Sequence, residues 1–167
     1  MEFTKTIPLA KPLGEHLDIT LREPVADEVV QMEADAARFG DVLAFKNLLS
    51  KISQIEISAL SQMGARDYMA CQKFFTGLIE VSSDEALEGD ETERVLASPI
   101  PGLTELKLRE PILSQIARFA TETTKLGSSA AMRNLIALQN KLEPRIVGQV
   151  GIHDFKVSER YLLSFFD

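Results

Sequence analysis

The chain has 167 residues, of which 45% are hydrophobic and 26% are charged, and its formal net charge is −7. This length and composition are typical of one ordinary globular domain or two small ones, and they exclude wholesale disorder. The single cysteine, Cys71, excludes an internal disulfide and a cysteine-based zinc site, and no apolar run approaches the roughly 18 residues of a membrane-spanning helix.

The charge is distributed unevenly along the chain. Residues 1–80 carry eight basic and twelve acidic side chains, residues 81–93 carry six acidic and no basic ones, and residues 94–167 carry ten basic and seven acidic ones. The overall acidity argues against nucleic acid or an anionic membrane as a partner. The acidic strip is typical of a solvated spacer. The first residues lack the basic and apolar stretches of a secretory signal, so a cytoplasmic location is expected.

The first predicted elements form a hairpin followed by a helix. Alternating apolar and polar residues over 3–9 and 17–21 predict two strands joined by a proline-glycine turn. Pro24 is predicted at the first position of a helix, where its missing N–H costs nothing. Glu23 then places a negative charge beside the positive end of that helix. Gly40 is predicted to end it as a left-handed cap.

Three more helices are predicted after Gly40. Asp41 is a suitable N-cap for the second helix, and a short third helix is predicted over about residues 55–63. Gly64 ends the third helix, and Asp67 is predicted to cap a fourth.

The same order of signals returns 87 residues later. The sequence Leu-Arg-Glu-Pro at 21–24 recurs at 108–111, and an ungapped comparison of residues 9–80 with 96–167 gives 15 identities in 72 positions. Average residue frequencies would give roughly 4 by chance. We therefore predict an α+β, mainly helical pseudo-dimer: two tandem copies of a β-hairpin plus four-helix unit, 1–80 and 94–167, joined by the acidic linker 81–93.

The repeated polar residues allow two interpretations. Arg22 and Arg109 could bind a ligand, but a strand-to-helix junction with local pairing accounts for them together with Glu23, Pro24, Glu110 and Pro111. Asp67 and Asp154 could form an acid–base pair. Helix capping explains both without an active site, so we predict that all eight residues are structural junctions and caps.

Other reactive side chains have no suitable neighbours in the sequence. Cys71 lies on the apolar side of its predicted helix, where the second copy has Ser158, and neither histidine has a counterpart in the other copy. His16 and His153 are therefore predicted at the surface or in turns. No glycine-rich phosphate loop or zinc-ligand spacing is present, so we expect no catalytic site, no cofactor and no metal.

The remaining signal is a surplus of large apolar residues on the fourth helix of each copy. One face of this helix suffices for the core of the unit, so a second apolar face is available for a partner. The predicted partner-binding residues are Phe74, Phe75, Leu78, Leu162, Phe165 and Phe166. No sequence beyond Asp167 covers the last two, which favours their docking onto another surface.

The order of these signals resembles a known family. Two strands, Leu21-Arg22-Glu23-Pro24, Gly40-Asp41, and the helix from Asp67-Tyr68 to Phe74-Phe75-Thr76-Gly77-Leu78-Ile79-Glu80 are similar to the small phage tail assembly chaperones of the Mu-like and P2-like group. The resemblance covers residues 3–80 well and 94–167 more loosely, since the second copy has Gly127-Ser128 and Asp154-Phe155 at the paired positions. The family is usually one unit long.

The resemblance implies a non-catalytic protein that coats the tape measure protein before the tail tube polymerises around it. A tape measure is a long helical chain with apolar faces, which a helical coat would keep soluble. The opposite charges of the two copies, −4 and +3, also suggest head-to-tail self-association. An alternative is a structural or adaptor subunit that remains in the finished tail.

Overall fold

The computed structural model describes residues 3–167, so the first two residues of the predicted first unit lie outside the described chain. The chain divides into two compact units: one comprises the residues up to 24 together with 31–80, and the other comprises 25–30 together with 81–167. Two separate hairpins are each followed by helices, which confirms the predicted α+β, mainly helical class.

The first hairpin consists of two antiparallel strands, β1 (Thr4–Leu13) and β2 (His16–Arg22). Side chains alternate between the two faces of a strand, so Ile7, Ile19 and Leu21 are buried while most of their neighbours are exposed. The helices that follow are α1 (Ala26–Phe39), α2 (Asp41–Ser53), α3 (Ile57–Leu60) and α4 (Ala65–Ile79). The core of the first unit includes Leu48, Leu49, Cys71 and Leu78.

The second hairpin comes after a short 3-10 turn at Ser83–Glu85. It consists of β3 (Glu91–Ile100) and β4 (Leu103–Arg109), which are also antiparallel. The helices that follow are α5 (Leu113–Leu126), α6 (Ser128–Asn140), α7 (Pro144–Val147) and α8 (Ile152–Leu163). Leu106, Ile136, Phe155 and Leu162 are fully buried in this unit.

The elements of the second unit follow those of the first at a constant spacing. Both bounds of β3, β4, α5, α6 and α7 lie 87 residues after those of β1, β2, α1, α2 and α3, and α8 begins 87 residues after α4. The turns between paired helices also agree, because Gly40 and Gly127 adopt nearly the same backbone, with positive φ of 88° and 92° and extended ψ of 163° and 161°. Residues with a Cβ atom rarely adopt this conformation, so glycine is needed at both turns.

The prediction that Pro24 and Pro111 begin helices is wrong by two residues. α1 begins at Ala26 and α5 at Leu113, because the residue after each proline is still extended: Val25 forms an isolated antiparallel bridge with Gly151, and Ile112 has φ −81° and ψ 162°.

Glu23 and Glu110 are consequently too far from the helix starts to cap them. The backbone N–H of Val25 donates to Glu28 Oε2 at 3.0 Å, and that of Ile112 donates to Gln115 Oε1 at 3.3 Å. The side chains that accept these N–H groups, Glu28 and Gln115, thus lie inside the first turn of each helix rather than before it. The short third helices, α3 and α7, also end earlier than predicted, at Leu60 and Val147.

Candidate partner-binding site

The predicted partner-binding residues divide into buried and accessible ones. Phe74 is 9% exposed and Leu78 is 1% exposed, and Leu162 on α8 is completely buried. These three belong to the cores of their units, because a helix that closes over a hairpin must turn one complete apolar face inward. Phe75, Phe165 and Phe166 are half-buried.

Phe75 lines an open groove in the first unit. The groove has a volume of about 390 Å³ and lies between the second half of α1, the start of α2 and the second half of α4. Its lining residues are Met32, Glu33, Ala36, Asp41, Ala44, Phe45, Gln72, Phe75, Thr76 and Ile79.

Aromatic rings stiffen one wall of the groove. The ring centroids of Phe45 and Phe75 are 5.6 Å apart, and Phe45 meets Tyr68 edge-on at the same distance. Such tilted and edge-on pairs are favourable ring geometries. The Tyr68 hydroxyl accepts a hydrogen bond from Gln72 at 3.0 Å. Burial, with a smaller contribution from Asp41, raises the pKa of Tyr68 above its ordinary value.

The edge of the groove is acidic. Glu33 and Asp41 lie on it together with the neutral polar side chains of Gln72 and Thr76, and no lysine or arginine is among the lining residues. An apolar floor with an acidic edge suits an amphipathic helix whose apolar stripe is bordered by basic residues.

The corresponding region of the second unit is packed by a pair of aromatic rings. Met32 and Ile79 both line the groove, and the equivalent residues 87 positions later are Phe119 and Phe166. The ring centroids of these two phenylalanines are 5.1 Å apart. Met132 and Leu162, at the positions of Phe45 and Phe75, are 1% and 0% exposed. The structural reason is that α8 ends at Leu163 and the residues after it form a turn that brings Phe166 against α5.

Phe165 also packs within its own unit, with its ring centroid 5.2 Å from that of Tyr161. Both terminal phenylalanines, which the sequence predicts on a docking surface, thus already have aromatic neighbours. They retain partial exposure.

Asp67 and Asp154 fasten the hairpins to the last helices and do not act as N-caps. The N-cap positions of α4 and α8 are Gly64 and Gly151. The Asp67 carboxylate, on a residue that is 4% exposed, accepts hydrogen bonds from the backbone N–H groups of Ala10 at 2.8 Å and Lys11 at 3.1 Å.

Asp154, which is 1% exposed, accepts the same pair of bonds from Ala97 and Ser98 at 3.2 and 3.3 Å. It also forms an ion pair with Arg94, whose nitrogen lies 2.7 Å from the carboxylate. Both aspartates are thereby occupied in holding β1 or β3 in place.

Arg22 and Arg109 lie at the ends of β2 and β4 and are exposed. The Arg22 guanidinium donates to the backbone carbonyl of Glu23 at 3.1 Å, which is the local pairing expected at a strand end. The backbone of Arg109 is held by Gln139, whose side chain accepts from its N–H at 3.1 Å and donates to its carbonyl at 2.9 Å.

The remaining reactive side chains are held in structural contacts. Cys71 is buried, and this burial, together with the nearby Asp67 charge, raises its thiol pKa to about 11, which leaves little thiolate for nucleophilic attack at neutral pH. His16 is exposed as predicted.

The surface position predicted for His153 is wrong, because its side chain is 1% exposed and its Nε2–H donates to Glu85 at 2.6 Å. This contact lies beside two others that hold the acidic segment before β3: Arg160 donates to the Val81 carbonyl and Tyr161 to the Gly89 carbonyl.

Residues 3–167 offer neither a metal-binding cluster nor a membrane span. Within that range no group of three or more histidine, cysteine, aspartate or glutamate side chains is placed to hold a metal ion. None of the helices in the same range combines the length and the apolar character needed to cross a bilayer.

The part of the chain that contains the groove matches a known protein family. Residues 6–80 match the family described as "Phage tail assembly chaperone proteins, E, or 41 or 14". This part of the chain, somewhat less than half of it, is similar to the phage tail assembly chaperone family. Comparisons with curated proteins and with solved structures gave no match.

The tail assembly chaperone match includes every residue that lines the open groove, from Met32 to Ile79, and also the Asp67 contact with β1. It ends at Glu80, before the acidic segment. The groove is thus a feature of the part of the chain that carries the family's sequence pattern.

Proposed function

We propose that this chain binds the tape measure protein of its phage and keeps it soluble until the tail tube forms around it. In this proposal it acts in the cytoplasm of the host and catalyses no reaction. The observation that carries the proposal is the open groove beside Phe75, which lies inside the region matched by the tail assembly chaperone family.

The chemistry of the groove supports a helical partner. Phe45, Phe75 and Ile79 offer apolar surface, and Glu33 and Asp41 offer negative charge at its edge. A tape measure segment that presents an apolar stripe with flanking lysines or arginines would bury the stripe and pair its charges. Without such a cover, long apolar stripes on neighbouring tape measure chains would associate with one another.

We further propose that the chain arose by duplication of one chaperone unit, with copies at 1–80 and 94–167 on either side of the linker 81–93. The constant 87-residue spacing of the elements supports this. The two copies have since diverged at the groove, because Phe166 contacts Phe119 where the first copy has an open space. The first copy is therefore expected to supply most of the tape measure binding.

Two substitutions on exposed positions of α4 test this proposal. Thr76 lines the groove and Met69 does not, and both are exposed, so arginine at either position is compatible with folding. Each variant would be co-expressed with the tape measure protein of the same phage, and the soluble complex would be recovered through a tag on the tape measure. Thr76→Arg places a bulky charged side chain in the groove and is expected to reduce recovery of the chain about tenfold or more.

Met69→Arg is the matched control and is expected to bind as the unaltered chain does. Equal binding by both variants would show that the groove does not hold the tape measure. Purified virions address the alternative role, since a chaperone is absent from them and a structural or adaptor subunit is retained.

A further inference from the structure

The start of α1 is docked on a turn between two other helices. Val25 forms an antiparallel bridge with Gly151, the Ala26 N–H donates to the Val150 carbonyl at 2.9 Å, and the Asp27 N–H donates to the Gly148 carbonyl at 2.9 Å. We call residues 25–27 the helix-start segment and residues 148–151 the receiving turn. Both belong to the second unit. The carbonyls of the turn thus satisfy N–H groups that the first turn of a helix leaves unpaired.

The fit between the helix-start segment and the receiving turn is close. Gly148 has no side chain, and a Cβ atom there would overlap the Asp27 carboxylate. That carboxylate also forms an ion pair with Arg133 at 2.8 Å. Ala26 and Val150 are 1% and 0% exposed, so the contact is dry as well as hydrogen-bonded.

An equivalent helix-start segment lies 87 residues later in the chain, and it is not docked. Residues 112–114 begin α5 as residues 25–27 begin α1. Ile112 is 62% exposed and Leu113 is 81% exposed, in contrast to the buried Ala26 at the position of Leu113. Two large aliphatic side chains thus lie in solvent at the start of a helix, whereas their counterparts Val25 and Ala26 are half-buried and buried.

A second receiving turn is also present. Residues 61–64 follow α3 as residues 148–151 follow α7. Ser61 is exposed and Met63 is half-buried, although their counterparts Gly148 and Val150 are both buried. The carbonyls of Ser61 and Met63 accept no hydrogen bond from another backbone N–H in residues 3–167.

The side chains at the two contacts compensate in size. The docked pair has a long side chain on the segment, Asp27, and no side chain on the turn, Gly148. The undocked pair has a shorter side chain on the segment, Ser114, and a side chain on the turn, Ser61. The smaller side chain at 114 therefore leaves room for the added side chain at 61, so the two contacts can have the same geometry.

We propose that residues 112–114 of one molecule dock on residues 61–64 of a second copy of this chain, in the geometry by which residues 25–27 dock on residues 148–151. The two surfaces differ, so the contact is head-to-tail, and each added molecule leaves one segment and one turn available for the next. Residues 1–80 have a net charge of −4 and residues 94–167 of +3, so the turn of one molecule and the segment of the next lie in regions of opposite charge.

Sedimentation velocity of the full chain over a wide concentration range tests the proposal. The unaltered chain is expected to form species larger than the 18.5 kDa monomer as its concentration rises, and rising salt should reduce their amount. Leu113→Glu disables the segment and Ser61→Arg disables the turn, and each variant alone is expected to remain monomeric or to need about tenfold more protein to associate. Val95→Glu, at an exposed apolar position of β3, is the matched control and should associate as the unaltered chain does.

A mixture of the two variants gives the sharpest outcome. Leu113→Glu retains the turn and Ser61→Arg retains the segment, so an equimolar mixture should form dimers with one chain of each kind and nothing larger. A monomeric unaltered chain at every concentration, or undiminished association of either variant alone, would overturn the proposal. Neither measurement involves the tape measure protein, so the outcome is independent of the proposed function.

Discussion

Replacement of Asp67 by alanine should destabilise the chain by an amount that the structure allows to be estimated. The substitution removes two hydrogen bonds to a charged oxygen, from the backbone N–H groups of Ala10 and Lys11. Bonds to a charged partner contribute roughly 1.5–3 kcal/mol each, and the lower value applies because both donors are on exposed residues that water can reach. The expected loss is about 3 kcal/mol in the free energy of unfolding, or a decrease in Tm of roughly 6–12 °C.

The equivalent change in the second unit should cost more. Asp154→Ala removes the same two backbone bonds and also leaves the Arg94 guanidinium, whose side chain is 14% exposed, without its carboxylate. Removal of one member of a buried pair costs about 3–5 kcal/mol. Asp18→Ala, at an exposed position on β2, is the matched control and should change stability by less than about 0.5 kcal/mol.

Urea denaturation followed by circular dichroism would measure all three variants. The expected order of destabilisation is Asp154→Ala, then Asp67→Ala, then Asp18→Ala. If Asp67→Ala is no more damaging than Asp18→Ala, its carboxylate does not hold β1 against α4, and the fastening role of both aspartates is refuted.

Two further predictions concern contacts within the second unit. Gly148→Ala should cost about 1–3 kcal/mol because its Cβ atom would overlap the Asp27 carboxylate, and the cost should largely disappear in chains that also carry Asp27→Ala. Glu85 should contribute to stability in a pH-dependent way, because the hydrogen bond from His153 holds its pKa below the ordinary value. The folded state then binds fewer protons than the unfolded state, so this contribution is complete above the ordinary carboxyl pKa and is lost as the pH falls through the lowered one.

Each of these two predictions has a control. Gly64→Ala should be nearly neutral, since the atoms nearest to its Cβ would lie at an ordinary 3.8 Å. Gly148 has φ −59° and ψ −21°, which alanine adopts readily, so backbone strain would not explain a loss there. For Glu85, urea midpoints of the unaltered chain and of Glu85→Gln should differ at pH 7 and converge in acid. A difference that is the same at every pH would contradict the role of the lowered carboxyl pKa.

Local signals in the sequence predicted most of the secondary structure. Gly40 and Gly127 end helices because their positive φ excludes most other residues, and this requirement does not depend on distant parts of the chain. The hairpins follow from the alternation of apolar and polar residues for the same local reason. The start of α1 lies beyond Pro24, where the extended Val25 pairs with Gly151, more than a hundred residues away. α5 begins at the equivalent position after the extended Ile112, which forms no such bridge within residues 3–167, so that pairing is not needed for the displacement.

The candidate site was only partly predictable. The surplus of apolar residues on α4 indicated a second surface, and Phe75 does line the open groove. The pattern could not separate Phe75 from the buried Phe74 and Leu78, because all three are large and apolar and only the packing of α4 on the hairpin decides which of them faces inward. No sequence signal indicated that Phe166 would pack in the corresponding region of the second unit, because its position there depends on the ring contact with Phe119.

The amino-acid sequence by itself determined the order of the elements, their 87-residue spacing and the absence of any recognisable catalytic pattern, because propensity, periodicity and turn chemistry act over a few neighbouring residues. Only the tertiary structure decided that Asp67 and Asp154 bind strands rather than helix ends. It also decided that Phe75 lines an open groove while Phe166 packs against Phe119, and that one helix start is docked while the other is exposed. These outcomes depend on contacts between side chains and backbone groups far apart in the chain, and equivalent local elements can make or lack such contacts.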